Sequence, residues 1–478
     1  MPSAKLSAVT SRRRFLQGLS ATATLATMSA PYAFAVEKLS SDDVVFLQRS
    51  DSTYASYRQP FNKRIALEPA VIAVCMQEHG VQRAVEYAKT HNLPIAIKSG
   101  GHGFEGYSLN QGGLVVDLSR MQQVQIDGNQ QLTVGPGCRL AGLFDYVLPK
   151  GRLLPTGSCG GVGIAGLTLG GGYGMFSRKY GLTCDSLVRV RMVDGQGRLH
   201  DSRDRADLLW ACRGGGNGNF GLITSMQFNT YPAPELLHSY RFKYALSPKR
   251  AVEMAARWFA LAPQLPPEAF SACVWGGKTL TILVTTFVRE PDKTFLDGPI
   301  TELRRGADKV FPVHTARLMH AVKRYYGQSK PLYFKNVSAG FYRGFDDIQA
   351  VAEEVFQRVA SQPGALLQIN TFLTPAASQR AQNDAAFPHR GYPFIGELQC
   401  YWDQAAREPQ AVATVKGIQR LLSQNGIRAH YANYPDIDLE NWPEAYFGKG
   451  NYQRLQTIKS VYDPENRIRH PQSVRLPT

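Results

Sequence analysis

The chain predicts an α+β fold in two parts, and three observations predict it. Between Pro69 and Ser99 the apolar pattern reads strand, helix, strand. A glycine-rich turn, Gly100-Gly101-His102-Gly103, follows the second of these strands, and a longer glycine-rich stretch runs from Gly151 to Gly181. After Pro232 the style changes to alternating strands mixed with helical segments. With 478 residues, 44% of them hydrophobic, the chain can bury a large core in two domains.

The elements follow in order. Val71-Ile72-Ala73-Val74-Cys75 is a short apolar strand. Val81 to Ala88 has helical spacing of its apolar residues. Ile95-Ala96-Ile97 is a second strand, and it runs straight into the turn that carries His102. Strands follow at Leu114–Leu118 and Gln131–Val134, and a helix at Leu140–Val147. Val188–Val193 is a strand closed by the hairpin turn Asp194-Gly195-Gln196-Gly197. Leu222–Met226 leaves a third glycine loop, Arg213 to Gly221, as a strand. Beyond Pro232, Tyr240–Tyr244 and Thr279–Val284 alternate, while Ile348–Val359 and Ala411–Leu422 read as helices. No G-x-G-x-x-G fingerprint occurs in a βαβ setting, which argues against a nicotinamide cofactor.

Two turns carry the chemistry. Lys98-Ser99-Gly100-Gly101-His102 offers an imidazole, and Gly157-Ser158-Cys159-Gly160-Gly161-Val162-Gly163 offers a thiol. Gly170-Gly171-Gly172-Tyr173-Gly174 follows at once. A residue without Cβ lets the backbone adopt positive φ and approach a flat or anionic ligand closely. The pair points to a large cofactor gripped by backbone and bonded through His102 and Cys159.

Residues 1–35 read as an export leader. Ser11-Arg12-Arg13-Arg14-Phe15-Leu16-Gln17 has the twin-arginine pattern, a short apolar run follows, and Ala33-Phe34-Ala35 is a cleavage site. That run is too short and polar to span a membrane. The formal charge of +16 falls to +12 once the four leader cations Lys5, Arg12, Arg13 and Arg14 are set aside. No basic run or nucleic-acid motif accompanies it, so the charge reads as general solubility. The seven cysteines include no CxxC pair, which argues against zinc and against any metal site. Disulfides among the six other than Cys159 are left open, beside a reading of them as buried thiols.

These motifs, in their shared order with Tyr431-Ala432-Asn433-Tyr434-Pro435-Asp436, Tyr446-Phe447-Gly448, Asn451-Tyr452-Gln453-Arg454-Leu455 and Tyr462-Asp463-Pro464-Glu465-Asn466, resemble the berberine bridge enzyme-like flavoprotein oxidases of the vanillyl-alcohol oxidase group. The resemblance implies a PCMH-type FAD-binding domain over 36–235, a substrate domain with an antiparallel sheet and flanking helices over 236–428, and a return to the FAD domain over 429–478. It implies FAD held covalently by His102 and Cys159. The implied cofactor contacts are Lys98, Ser99, Gly100, Gly101, Gly103, Tyr107 and Ser108 around the first turn. Val162, Gly163, Gly166, Gly170, Gly171, Tyr173 and Gly174 follow in the second, with Gly221, Ile223, Asn433 and Asn451 from later segments. Lys98 stands where the family has arginine, and Gly160 follows Cys159 where proline or threonine is usual. Valine at 162 is associated in the family with dioxygen as acceptor.

Oxidation of an alcohol needs a base within reach of the substrate hydroxyl. By the same resemblance one of Tyr431 and Tyr434 is that base, its pKa lowered by the other and by nearby cations. Period-two alternation puts Glu397, Gln399 and Tyr401 on one face of a strand. Glu397 is a second candidate base, a sugar ligand or a solvated carboxylate. The expected activity is oxidation of a carbohydrate or other alcohol, with O2 as acceptor and H2O2 as product. Its competitors are oxidative cyclisation of a secondary metabolite, a dehydrogenase with another acceptor, and a flavin-bearing binder without turnover. Expected partners are a small-molecule substrate, O2 and the twin-arginine export machinery, with the mature protein periplasmic or secreted.

Overall fold

The structure, a computed structural model, describes residues 43–289, 294–328, 330–380 and 384–477. The leader read at 1–35 lies outside them. The first sheet contains β1 (Val44–Gln48), β2 (Val71–Cys75), β3 (Ile95–Lys98) and β4 (Leu114–Asp117), in the order β1-β2-β4-β3. β4 runs parallel to both β2 and β3. The helix Glu78–Thr90 makes the crossover and buries Val81, Ala84, Val85 and Ala88, one helical stripe. All five residues of β2 are buried, because both sheet faces are covered. That is why β2 reads as an unbroken apolar run.

The second sheet draws on β5 (Val124–Ile126), β6 (Gln131–Val134), β8 (Leu187–Asp194), β9 (Leu199–Asp201) and β10 (Gly221–Asn229), with β7 (Arg152–Leu153) and β11 (Tyr231–Pro232) forming a separate ribbon. Its order is β5-β6-β10-β8-β9. The β8–β9 turn closes as expected: the amide of Gly197 donates to Asp194 at 3.1 Å, at a φ of +87°. The glycine-rich stretch 151–181 is not loop throughout. A helix, Ile164–Leu169, lies inside it and buries Ile164, Ala165, Thr168 and Leu169. Its flanking glycines hid so short a stripe.

The third sheet is larger. It uses β12 (Leu236–Ala245), β13 (Ala269–Gly276), β14 (Thr279–Thr286), β15 (Lys309–Val310), β16 (His314–Arg317), β17 (Tyr333–Tyr342), β18 (Ala365–Thr371) and β19 (Phe394–Trp402). Its order is β15-β12-β14-β13-β18-β19-β17, with β16 also on β12 and every pairing antiparallel. Helices Pro248–Leu261, Ala352–Ser361 and Glu408–Gln424 cover one face, where Trp275, Leu280, Ile282, Leu367 and Leu398 are buried. The helix expected at 348–359 begins as a separate turn, Asp346–Gln349, before Ala352.

The last segment returns to the first sheet. Ile468 bridges to Ile95, and the ammonium of buried Lys459 donates to the Asn219 carbonyl at 2.6 Å and to Asp463 at 2.7 Å. All seven cysteines are free thiols, so the disulfides left open by the sequence do not form. Among the described residues there is no metal-ligating cluster, and no helix is long and apolar enough to cross a membrane.

A buried charge cluster ties the parts together. Lys335 on β17 is 1% exposed and pairs with Glu105, with Asp436 at 2.8 Å and with Asp438 at 3.5 Å. Glu105 lies three residues after His102 and also pairs with Arg64, while Asp436 lies two residues after Tyr434. Burying a cation is tolerable only with such partners, and removing one leaves bare carboxylates. Lys335→Met therefore costs about 3–5 kcal/mol of stability. Chemical denaturation of the full chain checks this, and an unmoved midpoint refutes it.

Candidate active site

Local geometry brings the two reactive turns together. β3 ends at Lys98, whose ammonium pairs with buried Asp117 at 3.3 Å and donates to the Tyr57 carbonyl. Lys98 thus anchors the turn through protein partners. The Ser99 hydroxyl donates to the Pro136 carbonyl at 2.5 Å. Beyond it the two turns touch backbone to backbone. A Cβ on Gly100 would lie 2.4 Å from the Gly163 nitrogen, and one on Gly163 would lie 2.6 Å from the Gly100 nitrogen. No side chain fits between them, so glycine is required on both sides.

His102 leaves this junction with its ring stacked on Phe61, centroids 4.1 Å apart. Phe61 is held in turn by its amide on the Gly101 carbonyl, at 3.1 Å. The Nε2 atom of His102 lies 2.7 Å from where a Cβ of Gly161 would be. Cys159 is two residues before Gly161, so the imidazole packs against the turn that carries the thiol. Burial, helped by the Arg139 charge, lowers the His102 pKa to about 4, and the ring is a neutral nucleophile at physiological pH. Cys159 is open to the cleft but set deep within it. Desolvation there, with the Glu397 charge, pushes its thiol up to about 11, a rise that open access to the cleft tempers. The resting form is the thiol, not the thiolate.

The tyrosines differ. Tyr431 is 2% exposed, and its hydroxyl accepts from the Gly172 amide and from Asn433 Nδ2, both at 2.9 Å. It is built into the wall. Tyr434 is only half-buried, its ring is stacked on Phe104, and its hydroxyl shares a 2.9 Å hydrogen bond with that of Tyr173. Tyr173 also accepts from Asn370 Nδ2 at 3.0 Å. The lowered tyrosine pKa expected from the sequence is not found. Burial raises both, and for Tyr434 the Glu397 charge adds to it.

Glu397 completes the group. It is 7% exposed, and burial raises its pKa to about 7, against the charge-favouring contacts of Gln399, Asn336 and the Tyr434 hydroxyl. Gln399 Nε2 donates to Glu397 at 2.9 Å, Asn336 Nδ2 to the Tyr401 hydroxyl at 2.8 Å, and that hydroxyl to Gln399 at 3.3 Å. The alternation on β19 therefore holds. Asn336, Gln368 and Asn370 come from neighbouring strands and were not read in the sequence. Only sheet register places them here, and no spacing within the chain reports it.

Other predicted residues occupy varied places. Asn433 Oδ1 accepts from Asn217 Nδ2 at 2.6 Å, and its Nδ2 donates to the Leu167 carbonyl at 2.9 Å. Gly170 must lack a Cβ, which would fall 2.1 Å from Asn433 Oδ1. Gly171 and Gly172 have φ of +117° and +80°. Gly174 packs on the Thr156 carbonyl and Gly221 on Met192; a Cβ on Gly103 would make ordinary contact with the Tyr107 nitrogen at 3.9 Å, and Gly166 has open space. Val162 packs against the core of the second sheet and Ile223 lies within it. Tyr107 stacks on His470 and donates to Gln472. Asn451 stands apart, with its amide on the Ala386 carbonyl at 2.9 Å.

Residues 69–203 match the FAD binding domain family, and residues 430–475 match the berberine and berberine-like family. The chain is 29% identical over 450 residues to the FAD-linked oxidoreductase YgaK of Bacillus subtilis, covering 89% of this chain and 95% of that one. It is 28% identical to a chitooligosaccharide oxidase of Gibberella zeae, covering 87% and 89%. A solved chitooligosaccharide oxidase superposes with a TM-score of 0.83 at 25% identity, over 91% and 98% of the two chains. A glucooligosaccharide oxidase from Acremonium strictum, described with 6-S-cysteinyl, 8α-N1-histidyl FAD, superposes with a TM-score of 0.82 at 24% identity, over 91% and 97%. The protein is an FAD-linked oxidoreductase with the PCMH-type fold of these oxidases. The two family matches, in this order along the chain, support the berberine bridge enzyme-like family.

The residues present fit FAD. The glycine turns leave a backbone-lined cradle, and Ser108 Oγ, Asn217 Oδ1 and His470 Nδ1 are buried with no hydrogen-bond partner among the described residues. Such atoms call for a polar ligand. Gly161→Ala, which intrudes on His102, is expected to lower bound flavin per protein severalfold at unchanged fold, read by flavin absorbance and circular dichroism. Full loading of the variant would contradict this geometry.

Four histidines are held neutral. Burial lowers His102, His389 and His470 to about 4 and lowers His430 as well. Once unfolded they take up protons at about 6.5. Their contribution to stability is whole above that pH and is lost as pH falls from about 6.5 towards 4. The melting temperature is therefore expected to drop steadily across that window. A flat profile would exclude the linkage.

Proposed function

We propose that the protein is an FAD-dependent carbohydrate oxidase, exported by the twin-arginine route to the periplasm or beyond. It carries flavin bonded to His102 and Cys159 and oxidises a sugar hydroxyl with O2 as acceptor and H2O2 as product. The observation that carries the reading is Glu397, poised near 7 beside Tyr434 and ringed by Asn336, Gln399, Gln368 and Asn370. Side-chain amides both donate and accept, which suits a polyol. The oligosaccharide oxidases of the same fold support the substrate class, and the histidyl and cysteinyl FAD of the glucooligosaccharide oxidase supports the attachment.

The FAD, when bound, supplies the hydride acceptor. The chain's own residues manage the proton. Tyr434 takes the proton from the substrate hydroxyl and passes its own to Glu397, so the high tyrosine pKa is no obstacle: the carboxylate receives the charge balance. Tyr173 and Asn370 hold the Tyr434 oxygen in place. Tyr431 and Asn433 fix the wall behind it. Val162 leaves room on the dioxygen side.

Because Glu397 must be ionised, the rate of anaerobic flavin reduction by substrate is expected to rise with pH through about 7. Glu397→Gln is expected to abolish that limb. Tyr434→Phe is expected to slow reduction by about 10²–10⁴-fold, and Tyr431→Phe far less. Equal effects of the two would reassign the base. Val162→Leu is expected to suppress the oxygen reaction while sparing reduction. Peptide mass spectrometry is expected to find flavin joining the His102 and Cys159 peptides, and flavin on neither would end the covalent reading.

A further inference from the structure

The turn of Cys159 is held from outside its own part of the chain. Cys159 lies within the FAD-binding match over residues 69–203, and the stretch that touches it leaves β16 far beyond that match. This stretch begins as a short helix, Leu318–Ala321, and continues as a tight turn, Val322–Tyr325. Leu318, Ala321 and Val322 are buried in the core of the second sheet. The Tyr325 hydroxyl shares hydrogen bonds with Ser239 of β12 at 2.7 Å and with Thr285 of β14 at 2.9 Å. The stretch is thus fixed to the second and third sheets before it reaches Tyr326.

Tyr326 then meets the turn with backbone and ring. Its carbonyl accepts from the Gly160 amide at 3.0 Å. The Cys159 carbonyl, at the other end of the same peptide unit, accepts from the Val162 amide at 3.1 Å. A peptide unit is planar, so these two bonds fix the plane that leaves Cys159. The Tyr326 ring fills the space beside it: a Cβ on Gly160 would lie 2.8 Å from a ring carbon. The ring is backed in turn by Phe144, stacked at 6.5 Å between centroids. Gly327 follows at a φ of +71°, and a Cβ there would touch the Cys159 sulfur at 3.6 Å. The chain after Tyr326 therefore passes beside the thiol. His102 is braced differently, by the ring of Phe61.

We propose that Tyr326 is a positioning residue for flavin attachment: it aims the Cys159 sulfur, so the cysteinyl bond depends on the stretch that the third sheet holds in place, and the histidyl bond does not. The inference rests on the reading of His102 and Cys159 as the attachment residues. In the step itself the thiol S–H bond and one C–H bond of the flavin ring break, and a bond from sulfur to that ring carbon forms. The two hydrogens leave as protons, and the electron pair passes through the flavin to O2, giving H2O2. Such a bond forms at a useful rate only when the two atoms are held about 3–3.5 Å apart and aligned.

The test uses the full chain, produced with ample FAD and digested, with flavin counted separately on the His102 and Cys159 peptides by mass spectrometry. Tyr326→Phe is expected to match the wild type, since the Tyr326 hydroxyl has no hydrogen-bond partner among the described residues. Tyr326→Ala is expected to lower the Cys159 adduct about three- to tenfold and to leave the His102 adduct unchanged. Gly160→Ala, which collides with the ring, is expected to do the same, and the double variant to recover part of the loss because each change makes room for the other. A wild-type level of Cys159 adduct in Tyr326→Ala would overturn the proposal. So would equal loss on both peptides with a lowered melting temperature, which marks general loosening, or losses that simply add in the double variant. A wild type without flavin on Cys159 would overturn the attachment reading and this inference with it; a doubly bonded wild type whose variants are also doubly bonded overturns this inference alone.

Discussion

The contact of Gly100 with Gly163 is the constraint on which the site depends. Each backbone nitrogen occupies the place where the other residue's side chain would stand. Because the two turns belong to different segments, this one close approach brings the turn that carries the imidazole, after β3, against the turn that carries the thiol some sixty residues later. Everything around it protects the geometry: Phe61 stacked on His102, Lys98 paired with Asp117, and the Lys335 cluster holding the first turn to the third sheet.

Burial acts on the site in two opposite ways, both of use to it. It removes the charge from His102 by lowering its pKa, which leaves a nitrogen lone pair free at neutral pH. It raises Glu397 to about 7, which turns an ordinary carboxylate into a proton acceptor matched to neutral solution. The same desolvation raises the tyrosines, and in the proposed mechanism this gives the carboxylate a part that the tyrosine motif by itself does not suggest. A hydroxyl that cannot ionise alone can relay a proton when a nearby carboxylate takes it.

The third sheet divides its labour by face. Alternate residues of β13, β14, β18 and β19 fill an apolar core under three helices, and the residues between them, Glu397, Gln399, Gln368 and Thr281 among them, face the other way. Two demands, stability and recognition, are met by one set of strands because the side-chain period is two.

The sequence by itself determined the α+β class, the strands at 71–75, 95–97 and 188–193, the two glycine turns and the alternation of Glu397, Gln399 and Tyr401. Each is a local property, fixed by period, turn chemistry or residue type within a dozen positions. Tertiary structure alone decided which tyrosine faces the cleft, since Tyr431 and Tyr434 differ only in what packs on them. It alone decided the protonation of His102 and Glu397, which follows from surroundings drawn from distant segments. It also brought Asn336, Gln368 and Asn370 to Glu397 and aligned Lys243 with Lys309. Cross-strand register joins residues far apart along the chain, such as Ala272 and Asn370, and no pattern along one strand records which strand will lie beside it.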